Sequence, residues 1–305
     1  MRRSSFVLLL MAALWIVGCQ ENLPVELTPE QSASALAVRV LPVIDSTLIV
    51  DASVDTSGVL QSEEQTYPAT FLVNGVKTDF GSSRSAFSYS RILINDKRNK
   101  ITDGSSKVIG YLSVDVGNAK VNTVALPKTL RAVRTYTSYQ PSWNAGPAYT
   151  LVDQDNEPVP SFTYAPGQNY RFAADGRGAV SSFQLGIQSP EEITVNEPRA
   201  GSIVFRSDDL HVSWSGKHGD LMRVLISSYD SKAVVPVQPL VELTIDGDNS
   251  IIIPAKVLQA LQANRNGEYL FSFVSSNRTE TKIAGYADNV LVQAASIHNI
   301  LLWLK

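Results

Sequence analysis

The chain has one cysteine and three histidines in 305 residues. A single thiol cannot close a disulfide within the chain, and it excludes any centre built from several cysteines. The histidines are His211, His218 and His298. None has metal-motif spacing, such as two imidazoles four residues apart on a helix, and so few leave little material for a zinc site or a catalytic triad. There is no Gly-x-Ser-x-Gly nucleophile elbow. Gly176-Arg177-Gly178 is too short to be a phosphate-cradling loop. No cofactor is expected, and an enzyme is the least favoured class. The formal charge of −3 provides no basic surface of the kind that binds phosphate backbones, so nucleic acid is not an expected partner.

Long apolar runs are also missing. A spanning helix needs about 20 apolar residues. The longest run covers residues 6–17, and the apolar end at residues 297–305 is interrupted by His298 and Asn299. The first run is preceded by Arg2 and Arg3 and followed by Gly18, Cys19 and the polar Gln20-Glu21-Asn22. A positive start, a short apolar core and a small residue before the cut are the parts of a secretory signal.

Ile16-Val17-Gly18-Cys19 resembles the lipobox of bacterial lipoproteins, with Val17 bulkier than is common at its position. The resemblance implies cleavage between Gly18 and Cys19. It also implies a diacylglycerol on the Cys19 thiol and a further acyl chain, such as palmitate, on the freed amine. Two or more chains give stable membrane anchoring. Gln20, where an aspartate would signal inner-membrane retention, implies the outer membrane of a diderm envelope. Loss of Arg2 and Arg3 with the signal takes the formal charge from −3 to about −5.

After the cut, residues 19–34 carry Pro24, Pro29 and several Glu and Gln without periodicity, and are expected to form a flexible tether. Strand signals dominate beyond it. Short runs rich in aliphatic and β-branched residues alternate with turn pairs such as Asn74-Gly75, Asp103-Gly104, Gly117-Asn118 and Asp175-Gly176. No segment keeps helical periodicity beyond about two turns. The expected class is all-β, with an N-terminal sandwich-like domain at 35–188 and a second β-domain at 189–305. Residues 254–262 form the one plausible helix, with Pro254 at its start and Val257, Leu258 and Leu261 on one face.

The second domain resembles an immunoglobulin-like or fibronectin-type sandwich. In Leu210-His211-Val212-Ser213-Trp214 the alternation puts Trp214 on the inward face. Gly267-Glu268-Tyr269 looks like a tyrosine corner, which implies a bond from the Tyr269 hydroxyl back to nearby backbone. Such a resemblance speaks to architecture and not to activity. The apolar C-terminal stretch, with Leu301, Leu302 and Trp303, is expected to pack against the rest of the fold.

Two features carry possible binding chemistry. Tyr136, Tyr139, Trp143 and Tyr149 surround a polar loop and could stack on a sugar or grip a peptide, or else cap the first core. Asp153 with Asp155, and Asp246 with Asp248, alternate oxygen ligands on tight turns in a manner that suits calcium. Hairpin turns need the same residue types, however, and neither turn has the full twelve-residue calcium loop. The expected function is a membrane-anchored, non-catalytic binding or assembly module with a protein or glycan partner in the envelope. A carbohydrate-binding lipoprotein using residues 136–149, and a hydrolase with an unrecognised site, are the alternatives.

Overall fold

The computed structural model describes residues 35–41, 57–59, 63, 66–102, 106–133, 143–154, 162–230, 237–247 and 249–305. The signal segment, Cys19 and the tether lie outside them. The described fold is all-β. Its main sheet contains β1 (Ala35–Val40), β2 (Ala69–Asp79), β3 (Arg84–Thr102), β4 (Val108–Ser113), β7 (Lys128–Val133) and β8 (Trp143–Gln154) from the first half. The second half adds β12 (Ile203–Val204), β14 (Leu221–Ser228), β15 (Gln238–Asp246), β17 (Glu268–Thr281) and β18 (Val290–Leu304). Along the sheet the order is β1-β15-β14-β17-β18-β2-β3-β8-β7, with β12 on β18 and β4 on β3.

Two smaller sheets stand apart. One has the order β10-β9-β5-β6, from β10 (Phe183–Gln188), β9 (Asn169–Ala174), β5 (Ala119–Val121) and β6 (Val124–Ala125). The other is β11-β13-β16, from β11 (Thr194–Glu197), β13 (Leu210–Ser215) and β16 (Ser250–Ile253). Strands of the smaller sheets alternate buried and exposed residues, as in β13, where Leu210, Val212 and Trp214 are buried. That is the signature of a sheet packed on one side only.

The boundary expected at 188/189 separates the small sheets and not the large one. β18 pairs along its length with β17 and lies parallel to β2, from Leu291 beside Thr70 to Ile300 beside Asp79. The described residues from Ala35 to Lys305 therefore belong to one compact unit. The length of β18, 15 residues, follows from its central place. Strands buried on both faces read as near-continuous apolar runs, and 14 of its 15 residues are buried, with Trp303 the exception.

The even-numbered residues of β18 serve two cores on one face. Val290, Val292 and Ala294 join a cluster with Phe71, Ile92, Tyr149 and Phe172, under the four-stranded sheet. Ile300, Leu302 and Leu304 join one with Trp214, Phe271 and Phe273, under the three-stranded sheet. The helix α1 (Ala255–Ala260) adds Val257 and Leu258 to the latter. Tyr269 is fully buried there, and its hydroxyl donates to the Gln262 carbonyl while accepting from the Asn264 amide at 2.9 Å. This is the back-bond that its position after Gly267 implies.

The opposite face carries a single cluster, including Leu72, Val76, Tyr89, Val274 and Ile297, with Leu41 and Val59 laid over it. Among these apolar groups lies Glu63, whose side chain is 2% exposed. It is bonded to Arg223 and, at 2.9 Å, to Arg278. Arg223 also approaches Glu242 at 3.9 Å, and Arg39 meets Glu242 at 2.7 Å.

Candidate functional site

Between the two cores, the register brings small side chains into one row. Ser275, Ser296, Gly75 and Ser88 are neighbours across β17, β18, β2 and β3. The row is where connecting segments lie down on the sheet. The Ser88 hydroxyl accepts the Tyr164 amide at 2.9 Å, the Ser296 hydroxyl accepts that of Ile193 at 3.2 Å, and the Ser275 hydroxyl accepts that of Gly219 at 2.9 Å. Gly75 is required sterically. A Cβ there would stand 2.3 Å from the Tyr164 ring, which stacks on Tyr170 at 6.0 Å. A backbone approached this closely tolerates only glycine.

One residue further along the same face the side chains turn polar. His298 on β18 is the register partner of Lys77 on β2, and Lys77 that of Ala86 on β3; Asp79 then pairs with Arg84. Thr194 and Val195 of β11 form a wall above them, and the space between is a cleft of about 440 Å³. It adjoins a smaller cleft of about 190 Å³ bounded by Gly75, Ser88, Tyr164 and Glu192. An ion pair joins Lys77 to Glu192. Asp79 is held on both oxygens, by the Gly81 amide at 2.8 Å and the Arg84 Nε at 2.7 Å.

His298 is a largely buried polar group of the cleft, at 8% exposure. Its Nδ1 accepts the Val195 N–H at 2.8 Å. An accepting nitrogen carries no proton, so the ring proton resides on Nε2. Burial and, secondarily, the nearby Lys77 and Arg84 charges hold its pKa below the ordinary imidazole value, against the pull of Asp79 and Glu192. The ring is thus a neutral donor. No described residue accepts from Nε2.

The residues that the sequence singled out are dispersed. Gly18, Cys19, Tyr136, Tyr139, Asp155 and Asp248 lie outside the described residues, as does the side chain of Asp153. Asp246 is exposed at the end of β15. Among the described residues no three His, Cys, Asp or Glu side chains are placed to hold a metal. Trp143 packs on the small cluster of Ile101, Ile109, Val133 and Ala145. Tyr149 takes the core-capping alternative, a correction to its place among the binding candidates: it is 1% exposed and belongs to the core.

The reason is a polar anchor below that core. The Tyr149 hydroxyl donates to Asp115 at 2.6 Å and accepts the Val116 amide at 2.9 Å. Burial together with the Asp115 bond pushes the phenol up to about 12. Asp115 also receives Gly117, Lys128 and Arg177. Burial alone would raise this carboxyl, but those donors outweigh it and hold it well below the usual range.

The cleft residues Lys77, Asp79, Arg84, Glu192 and His298 come from four separate segments, and no motif joins them. The available signal was indirect. A mid-strand Gly75, with Ser88 and Ser296 in otherwise apolar strands, marks where a sheet is crossed and its core interrupted. No family model, curated protein or solved structure matches the chain.

Proposed function

We propose that this is a lipid-anchored envelope lipoprotein whose β-structure acts as a non-catalytic binding or assembly module, with the cleft over β2, β3 and β18 as its recognition site. The observation that carries the binding role is the convergence of polar groups in the gap between two cores. Lys77, Arg84 and the neutral His298 donor line a concave space, on paired strands, beside a wall of backbone. Binding sites are commonly built this way, with a few convergent polar groups set in a cleft. The anchor rests on Ile16-Val17-Gly18-Cys19, and Gln20 supports an outer-membrane destination.

The anchoring half is tested by mass spectrometry of the N-terminal peptide from the full-length protein expressed in a diderm host. The expected product begins at Cys19 and carries diacylglycerol and an amide-linked acyl chain, and the Cys19→Ser variant leaves the membrane fraction. An unmodified peptide, or a Cys19→Ser protein that stays membrane-bound after washing, overturns it. For the binding half, a ligand screen by thermal shift should yield compounds that stabilise the wild type and not a His298→Phe variant. Ligands that stabilise both alike place recognition elsewhere.

A further inference from the structure

The donors and acceptors of the cleft are unequal in what they have left to give. Both Asp79 oxygens are occupied, by the Gly81 amide and Arg84 Nε, and Glu192 is engaged by Lys77. The donors are only partly used. Arg84 commits its Nε alone, so its two terminal nitrogens are without a partner among the described residues. Lys77 has three N–H groups and one ion-pair partner. His298, more than nine-tenths buried, points an Nε2–H that no described residue accepts. A donor at the accessible edge of a largely buried ring is completed by a ligand acceptor or by water.

We propose that the cleft binds a small ligand through a carboxylate, received by the terminal nitrogens of Arg84, the Lys77 ammonium and His298 Nε2–H. The inference rests on the cleft being the recognition site. Register makes the convergence geometrically reasonable. Lys77 and His298 are direct neighbours on adjacent strands, about 5 Å apart at the backbone. Arg84 lies diagonally from Lys77 on the same face, at roughly 7–8 Å, within reach of long side chains.

Ligand classes separate on charge and on hydrogen-bond sense. A cation gains nothing from a neutral N–H donor, and it would have to displace Arg84 or Lys77 from their carboxylates. A neutral polyol can accept from His298 but leaves the guanidinium fork without its planar, two-oxygen counterpart. A phosphate dianion satisfies the donors yet meets Asp79 and Glu192, which already balance the two cations. A carboxylate carries one charge and two coplanar acceptors, and so matches the unused donors at the lowest repulsion. Thr194 and Ser85 on the cleft wall would hydrogen-bond hydroxyl substituents on such a ligand.

The test is calorimetric titration of the purified full-length protein in detergent with the monocarboxylates lactate and glucuronate, and with inorganic phosphate, glucose and methylammonium. Saturable binding of lactate or glucuronate is expected, with little or none for the other three. Arg84→Gln should weaken it by on the order of tenfold, as expected for loss of a bidentate charge-assisted contact, and Arg84→Lys should recover only part. Arg84 is 84% exposed, so these variants do not threaten the fold. Arg98→Gln, an exposed arginine paired with Asp96, should change nothing. Tighter binding of phosphate, or binding of glucose or methylammonium without the carboxylates, overturns the carboxylate inference while leaving a binding cleft. Carboxylate binding that Arg84→Gln does not weaken also overturns it. If none of the five probes binds, the carboxylate inference fails, whereas the cleft as a recognition site is decided separately by the His298→Phe screen.

Discussion

The two faces of the large sheet bury similar strands in different ways. One face is split: two apolar cores, each under its own small sheet, are separated by a row of small residues and then a polar strip. The other face carries one apolar cluster beside which Glu63 and Arg223 are buried, with Arg278 part-exposed against Glu63, and the buried polar Gln293 and Asn299 lie on this face too. The difference shows what a buried polar group is for. Where the strip meets a cleft, its donors remain incompletely paired, as the proposed ligand site requires. Under the overlying chain, charges are paired to each other and can contribute only to holding that chain down.

The sealed face therefore should fail hardest when broken. Glu63→Ala leaves Arg223, whose side chain is 3% exposed, without its principal counter-charge. Removing one partner of a buried pair typically costs about 3–5 kcal/mol. A urea-unfolding midpoint within error of wild type would show that the network adds nothing. On the split face the largest steric effect belongs to Gly75. Gly75→Ala sets a methyl into the Tyr164 ring, and overpacking of this kind costs about 1–3 kcal/mol. The near-ultraviolet circular dichroism of the Tyr164–Tyr170 stack should change with it. An unaltered spectrum and midpoint would mean that residues 163–164 do not rest on the row.

A smaller effect concerns pH. His298 in the folded chain has a pKa below its ordinary 6.5, chiefly through burial. As pH falls, the unfolded chain takes up the proton first. The contribution of neutral His298 is thus complete above about pH 6.5 and is lost progressively as pH drops from there towards the folded value. His298→Gln, which can still accept the Val195 amide, should flatten that part of the stability profile as pH falls below about 6.5. The same slope in variant and wild type would assign it to other groups.

Much of the fold was legible because local pattern and tertiary role agree. α1 falls inside 254–262, Trp214 is a core residue as its alternation implies, and Tyr269 makes the back-bond expected of it. What was not legible is long-range pairing. Nothing local in residues 69–79 or 290–304 reveals that they run parallel and fuse the halves into one sheet. For Tyr149 the sequence leaves ligand contact and core capping open, and Asp115, 34 residues earlier, settles it for the core by drawing the hydroxyl inward. The cleft was hidden most completely. Lys77 and Glu192 are 115 residues apart, and His298 becomes informative only when Val195 occupies its Nδ1.

The contrast between the faces is tested most directly by removing the polar strip and asking whether the fold notices. The Lys77→Gln, Arg84→Gln double variant deletes two partly exposed ion pairs, each of which typically contributes no more than about 1 kcal/mol. Its urea-unfolding free energy should stay within about 1 kcal/mol of wild type. A loss of about 3 kcal/mol or more, comparable to that of a buried pair, would show that the strip holds the fold together in the way Glu63 does. The division into a working face and a sealed face would then be wrong.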